Sequence, residues 1–209
     1  MNIIIFGATG RTGQLLVEKA LERGHQVTAL ARSPEKLTGF NGQLEIVQGD
    51  ARDAGKVAEA VAGAEAVISV LGPTENRPVF AVSEATENIL SAMKDQGVER
   101  LILSAGAGVG DPQDAPRLFN RLIDFLLKLF SRWVYEDMVR TVEQVRSSDL
   151  QWTVVRVPML VDGEETEEVQ VGYVGKGMGP RVSRADLAAF MLDQLASSEY
   201  VQQAPAISS

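Results

Sequence analysis

Short apolar runs rich in β-branched residues alternate along the chain with stretches of helical period. The runs cover 2–6, 26–31, 44–48, 66–71, 100–104 and 152–157; the helical patterns cover 11–23, 54–62, 79–96 and about 116–147. A strand that is apolar at every position is buried on both faces, because neighbouring side chains point to opposite sides of a sheet. The pattern therefore predicts an α/β fold, a doubly wound parallel sheet with helices on both faces. After Pro158 the rhythm changes. Residues 159–182 are rich in Glu and Gly, with one strand expected at 168–174, before a last helix near 184–197. That late segment is too short for a core of its own. Residues 158–182 are therefore read as a small C-terminal cap on the substrate side of one domain spanning 1–209.

Composition narrows the chemistry. Of 209 residues, 45% are hydrophobic and 23% charged, as in ordinary globular proteins. The formal charge is −8, from 28 acidic and 20 basic residues, which argues against a nucleic-acid partner, since phosphates attract clustered Lys and Arg. There is no cysteine, and His25 is the single histidine, so disulfides, zinc fingers and Ser-His or Cys-His dyads are excluded and no metal site is expected. The N-terminal run lacks the pattern of a signal peptide, and no stretch reaches the ~18 uninterrupted apolar residues of a spanning helix, so the expected location is cytoplasmic.

The densest signal is FGATGRTG, residues 6–13, where the first strand hands over to the first helix. In that context Gly7 permits a tight turn, Gly10 lets backbone approach a diphosphate and Gly13 lets the helix pack on its strand. Free amides and the helix dipole favour the anion. The alternative is a turn that binds nothing; a P-loop is excluded because no Gly-Lys-Ser/Thr follows. At the end of the second strand an acid would read the ribose hydroxyl of NAD, but the sequence runs Ala31-Arg32-Ser33-Pro34 with no acid before Glu35. Arg32, helped by Ser33 and Arg11, is suited instead to a 2′-phosphate, so NADP(H) is expected, with a solvated surface arginine as the alternative. Asp50 is expected to accept from the adenine amine, its alternative being a turn or helix cap. Leu71-Gly72 ends the fourth strand, where backbone must pass the adenosine half.

GATGRTG, Arg32-Ser33, Gln48-Gly49-Asp50, Leu71-Gly72, Leu103-Ser104-Ala105, the run from Asp149 to Pro158, Ser183 to Leu187 and Phe190-Met191-Leu192 together resemble the atypical short-chain dehydrogenase/reductases. The branch is that of small NAD(P)H-binding proteins similar to biliverdin-IXβ reductase (flavin reductase) and the NmrA-like group. The resemblance implies a Rossmann fold with NADP(H) held by Gly7, Thr9, Gly10, Arg11, Thr12, Gly13, Arg32, Ser33, Asp50, Leu71, Gly72, Ser104 and Pro158. It also implies an acceptor beside the C-terminal end of the fifth strand, near Ser104 and Pro158; Ser104 and Tyr135 are the candidate catalytic groups. Many relatives use a Tyr-x-x-x-Lys pair, but Tyr135, Tyr173 and Tyr200 are followed four positions on by Val139, Gly177 and Ala204. The hydroxyl pair of the reductase branch is also reduced to Ser104, followed by Ala105. Without a tuned proton donor, a small-molecule aromatic or conjugated acceptor (flavin, quinone or bilin-like) fits better than an isolated ketone. An NADP(H) sensor without turnover and an assembly protein are the rival expectations.

Residues 117–134, RLFNRLIDFLLKLFSRWV, hold eleven apolar positions. They fill an arc of roughly 200°, about twice the usual core stripe. Its cover is expected from a second subunit or the rest of the fold, from a bound aromatic acceptor under a lid, or from a membrane surface, which the four basic residues against one acid would suit. Ser183-Arg184-Ala185-Asp186 reads as a helix-capping box, and Gly172 to Gly179 as turn chemistry near the substrate mouth.

Overall fold

The computed structural model describes residues 1–40, 42–73, 75–116, 129–166 and 168–209. Its elements run β1 (Asn2–Phe6), α1 (Arg11–Glu22), β2 (Gln26–Ala31), a 3-10 helix (Pro34–Phe40), β3 (Leu44–Gln48), α2 (Ala54–Val61), β4 (Ala66–Ser69) and α3 (Ala81–Gln96). They continue with β5 (Arg100–Gly106), α4 (Arg132–Arg146), β6 (Gln151–Val157), β7 (Met159–Val161), β8 (Gln170–Gly172), β9 (Arg181–Ser183), α5 (Arg184–Asp193) and β10 (Ala206–Ser208). The main sheet has the order β3-β2-β1-β4-β5-β6-β10-β8, and β7 pairs β9 separately. All neighbours in the main sheet are parallel except β8, which runs against β10. This is a Rossmann-type doubly wound sheet, and the chain reverses its direction of winding between β1 and β4, where such sheets open a crevice at the carboxyl ends of their strands.

Alternation within single strands builds the two layers. Ile3 and Ile5 pack with Leu16, Val17, Leu187 and Met191 under α1 and α5. Ile4 and Phe6 face the other way, into a cluster with Val57, Ile89, Met93, Val142 and Val145 under α2, α3 and α4. Both faces being covered is why the strands read as unbroken apolar runs.

Capping fixes the helices that border the crevice. Asp53 accepts from the amides of Gly55 (2.9 Å) and Lys56 (3.1 Å) at the start of α2. At the start of α3 the cap comes from another helix: the buried Asp137 of α4 accepts from Val82 (3.0 Å) and Ser83 (2.9 Å). Those two amides would otherwise be orphaned inside the protein.

The structure corrects several expectations. The long helical stretch expected at 116–147 breaks at Ser131, whose backbone (φ −131°, ψ 41°) leaves the helical region. Asn76 satisfies the groups this frees, donating to the Phe130 carbonyl (2.8 Å) and accepting from the Trp133 amide (3.2 Å). Residues 117–128, and with them most of the apolar arc and its expected role in self-association, lie outside the described residues. Leu129 and Phe130 are exposed. The cap is partly sheet: β8 is the outer edge of the main sheet, and it is reached only because β10, a strand not expected, inserts beside β6. Ser183 caps α5 by accepting from the Asp186 amide (2.9 Å), while the Asp186 carboxylate turns to Thr166 instead of closing the box. Among the described residues no helix is long and apolar enough to cross a membrane.

Candidate functional site

The glycine turn is shaped by exclusion. Gly7 has φ +86°, and a Cβ there would lie 2.9 Å from the Val70 carbonyl carbon and oxygen. At Gly13 a Cβ would sit 2.1 Å from the Gly7 oxygen, so α1 can lie on the turn only because no side chain intervenes. Gly10 differs: its added Cβ would meet only the Gly7 oxygen at 3.3 Å. It is the N-cap of α1, and neither a side-chain cap nor an acid in the first turn neutralises that end. The helix therefore offers unpaired amides and its positive dipole end over bare backbone, which fits a diphosphate.

Arg11 opens the helix and pairs with Asp162 (3.0 Å), whose other oxygen accepts from Arg184 (2.7 Å). Lys19 pairs with Glu165. These contacts lay the segment after β7 along α1, an attachment of the cap that its sequence did not reveal.

At the carboxyl ends of β2 and β3, Arg32 lies 4.0 Å from Asp50, and Arg52 grips the same carboxylate through Nη2 (2.9 Å) and Nε (3.2 Å). The Arg52 amide adds a turn bond to Asp50 (3.0 Å). Bonding from Arg52 holds the Asp50 carboxyl below its usual range, against the opposing effect of burial. Two guanidiniums share one carboxylate, so the cluster keeps a positive charge, as a phosphate site requires. Ser33 stands at the entry to the 3-10 helix, its carbonyl accepting from Lys36 (3.2 Å). Arg52 escaped the sequence reading; the Asp-x-Arg spacing of a side-chain-closed turn was the available signal.

Between the ends of β4, β5 and β6 lies a cleft of about 290 Å³. It brings together Thr12, Leu71, Gly72, Ser104 and Pro158, five expected site residues from across the chain. Val82 of α3, Met138 and Thr141 of α4, Leu160 and Leu187 complete much of the wall, and none of these was anticipated. Tyr135 is carried in the first turn of α4 and is not among the lining residues. Nor is any residue of 172–180; that turn packs instead on Ala115, whose amide bonds the Val174 carbonyl (2.9 Å). Two larger hollows, about 560 and 530 Å³, lie on the α3–α4 surface and at the amino ends of β1–β3. Neither touches the glycine turn, and open α/β sheets bind ligands at the carboxyl ends of their strands.

The fold has solved counterparts. A short-chain dehydrogenase/reductase from Veillonella parvula DSM 2008, in complex with NADP, superposes with a TM-score of 0.81 at 19% identity, over 100% of this chain and 94% of that one. ChuY, an anaerobilin reductase from Escherichia coli O157:H7, gives 0.78 at 23% identity, over 100% and 97%. By sequence, an uncharacterized chloroplastic protein of Arabidopsis thaliana is 30% identical over 169 residues, 74% of this chain and 58% of that protein. The chain spans only 34% to 58% of the length of the first curated relatives it matches. The model of the NAD(P)H-binding family matches residues 7–198, from the glycine turn to just beyond α5. With side-chain-free glycines, an uncapped helix end and a doubly arginine-flanked strand end fitting a dinucleotide, the chain belongs to the NAD(P)H-binding family.

Proposed function

We propose that the chain is an NADP(H)-dependent reductase that passes hydride to a conjugated ring acceptor of the flavin, quinone or bilin kind. The observation that carries the reading is the wall of the cleft. Thr12, Ser104 and Thr141 bring hydroxyls, the remaining lining residues are apolar or glycine, and no titratable side chain is among the described residues that line it. An isolated ketone would leave an alkoxide with no protein acid beside it, whereas a delocalised ring can take its proton from water. ChuY, an anaerobilin reductase of the same fold, supports this acceptor class.

When bound, the dinucleotide supplies the hydride. Gly7, Thr9, Gly10, Arg11, Thr12 and Gly13 would hold its diphosphate; Arg32, Ser33 and Arg52 would take the 2′-phosphate, with Asp50 orienting the two arginines on the adenosine side. Leu71 and Gly72, expected beside the adenosine half, line the cleft with Ser104 and Pro158 and would flank the dinucleotide toward its nicotinamide end. Tyr135 of α4, outside the cleft wall, would meet only an acceptor that extends beyond it. The protein's own work is then positioning in a mostly apolar cleft, which can supply much of a rate enhancement. We infer a cytoplasmic setting. Steady NADPH oxidation with FMN, menadione or dichlorophenolindophenol tests the reading. A non-catalytic NADP(H) sensor is the second reading, favoured by Val139 standing where Tyr135 would need its lysine; NADPH binding with no oxidation in the presence of any of these acceptors would select it.

A further inference from the structure

Thr141 sits on α4, 4% exposed, in the wall of the cleft, and its Oγ1 has no hydrogen-bond partner. Threonines inside helices normally donate to the carbonyl one turn earlier. Thr86 of α3 does so, to Val82 at 2.8 Å, and the buried Thr153 of β6 donates to the Tyr200 carbonyl at 2.9 Å. Thr141 does neither. A buried hydroxyl left unpaired destabilises the protein that carries it, and valine would fill the same volume without that cost. Such a group in a cleft wall marks a place where a ligand atom completes the bond.

The rest of the wall says what kind of atom. Val70, Leu71, Met138, Val157, Leu160 and Leu187 are apolar, and no cation among the described lining residues would balance an anion. Two residues that carry neutral hydroxyls, Ser104 from β5 and Thr141 from α4, line the same small space. A carbonyl oxygen accepts two hydrogen bonds, one on each lone pair. At about 290 Å³ the cleft lies at the lower end of ligand-pocket sizes and would be shared with the nicotinamide, so one ring edge enters and the rest of a larger acceptor stays outside.

We propose that Thr141 donates a hydrogen bond to a carbonyl oxygen on the ring edge of the acceptor and shares that oxygen with Ser104. The inference rests on the reductase reading and adds to it the atom that is recognised: a neutral conjugated carbonyl, as in a quinone, a flavin or a lactam ring.

The test is Thr141→Val beside Thr141→Ser. In the free protein, Thr141→Val raises the melting temperature by roughly 2–4 °C, because an unpaired buried hydroxyl is removed. With menadione and with FMN, its KM rises about tenfold while kcat and the NADPH dissociation constant, read by fluorescence titration, stay within about twofold. Thr141→Ser restores the KM. A lowered melting temperature in Thr141→Val would mean that Oγ1 is already bonded, for instance to a buried water, and would overturn the proposal. So would an unchanged KM, or weakened NADPH binding with unchanged binding of adenosine 2′,5′-bisphosphate, which would assign the hydroxyl to the nicotinamide carboxamide. If the wild type binds NADPH yet neither binds nor reduces menadione or FMN, the reductase reading itself fails, visibly and before any variant is made, and the Thr141 proposal falls with it.

Discussion

Arg156 and Asp114 face each other in a two-pronged pair, Nη1 to Oδ2 at 2.7 Å and Nη2 to Oδ1 at 2.8 Å, with the arginine wholly buried. The same guanidinium donates to the carbonyls of Ala204 (2.7 Å) and Val109 (3.2 Å), and Asp114 also accepts from the Val174 amide (2.9 Å). One side chain on β6 thus ties together the loop after β5, the turn after β8 and the C-terminal stretch that leads to β10. These are the segments that hold the outer part of the sheet beside the cleft.

Breaking this pair from one side leaves a buried charge without its partner. Arg156→Ala is expected to lower stability by about 3–5 kcal/mol, whereas Arg156→Met combined with Asp114→Leu recovers most of the loss, because an apolar pair of similar volume avoids the desolvation cost. Urea unfolding of the three proteins measures both effects.

Acid should loosen the same region. Burial pushes the Asp114 carboxyl up, but the bonds from Arg156 and from the Asp111 and Val174 amides outweigh it and hold the group below its ordinary value. Asp186 behaves likewise: burial opposes, and Ser209, Thr166 and Ser183 prevail. A carboxyl depressed on folding contributes stability that is complete above its unfolded pKa, about 3.9, and is lost as pH falls through the folded value. The urea midpoint should therefore hold steady from about pH 7 to 5 and fall below about 4. Asp114→Asn, already less stable at neutral pH, should show a shallower acid decline.

The glycines separate by role. At Gly13 a Cβ would press 2.1 Å from the Gly7 oxygen, so Gly13→Ala costs stability by the roughly 1–3 kcal/mol typical of overpacking and also removes dinucleotide binding. At Gly10 the nearest atom is 3.3 Å away, so Gly10→Ala should melt within about 2 °C of wild type yet bind NADPH at least about tenfold more weakly, the backbone no longer being bare. Thermal melts set against NADPH titrations distinguish the two.

If the chain takes NADP(H) as proposed, the arginine pair sets the choice of nucleotide. Arg32→Glu or Arg52→Gln should weaken NADPH by about tenfold or more each, given the ~1.5–3 kcal/mol of a charge-assisted bond. NADH should change by less than about threefold. Equal losses for both nucleotides would remove the 2′-phosphate from the site.

Much of this molecule was legible residue by residue. Ile3-Ile4-Ile5 had to be buried on both faces, because a side-chain period of two leaves no wet side to an unbroken apolar strand. The spacing of Gly7, Gly10 and Gly13 located the tight strand-to-helix turn, because the requirement it meets, room for backbone where a Cβ would collide, is local. The limits of strands and helices were likewise read to within a few residues wherever apolar runs were long. The rest depended on partners distant in the chain. β10 is short and follows a proline, and it becomes a strand only because the free edge of β6 offers it amides and carbonyls. The break at Ser131 depends on Asn76, and the cap of α3 on Asp137. Arg52 joins Arg32 through Asp50, and Thr141 enters the wall with Ser104, only after folding brings separate strands and helices side by side. Local periodicity fixes which way a side chain faces; which group it meets there is decided by the packing of the whole sheet.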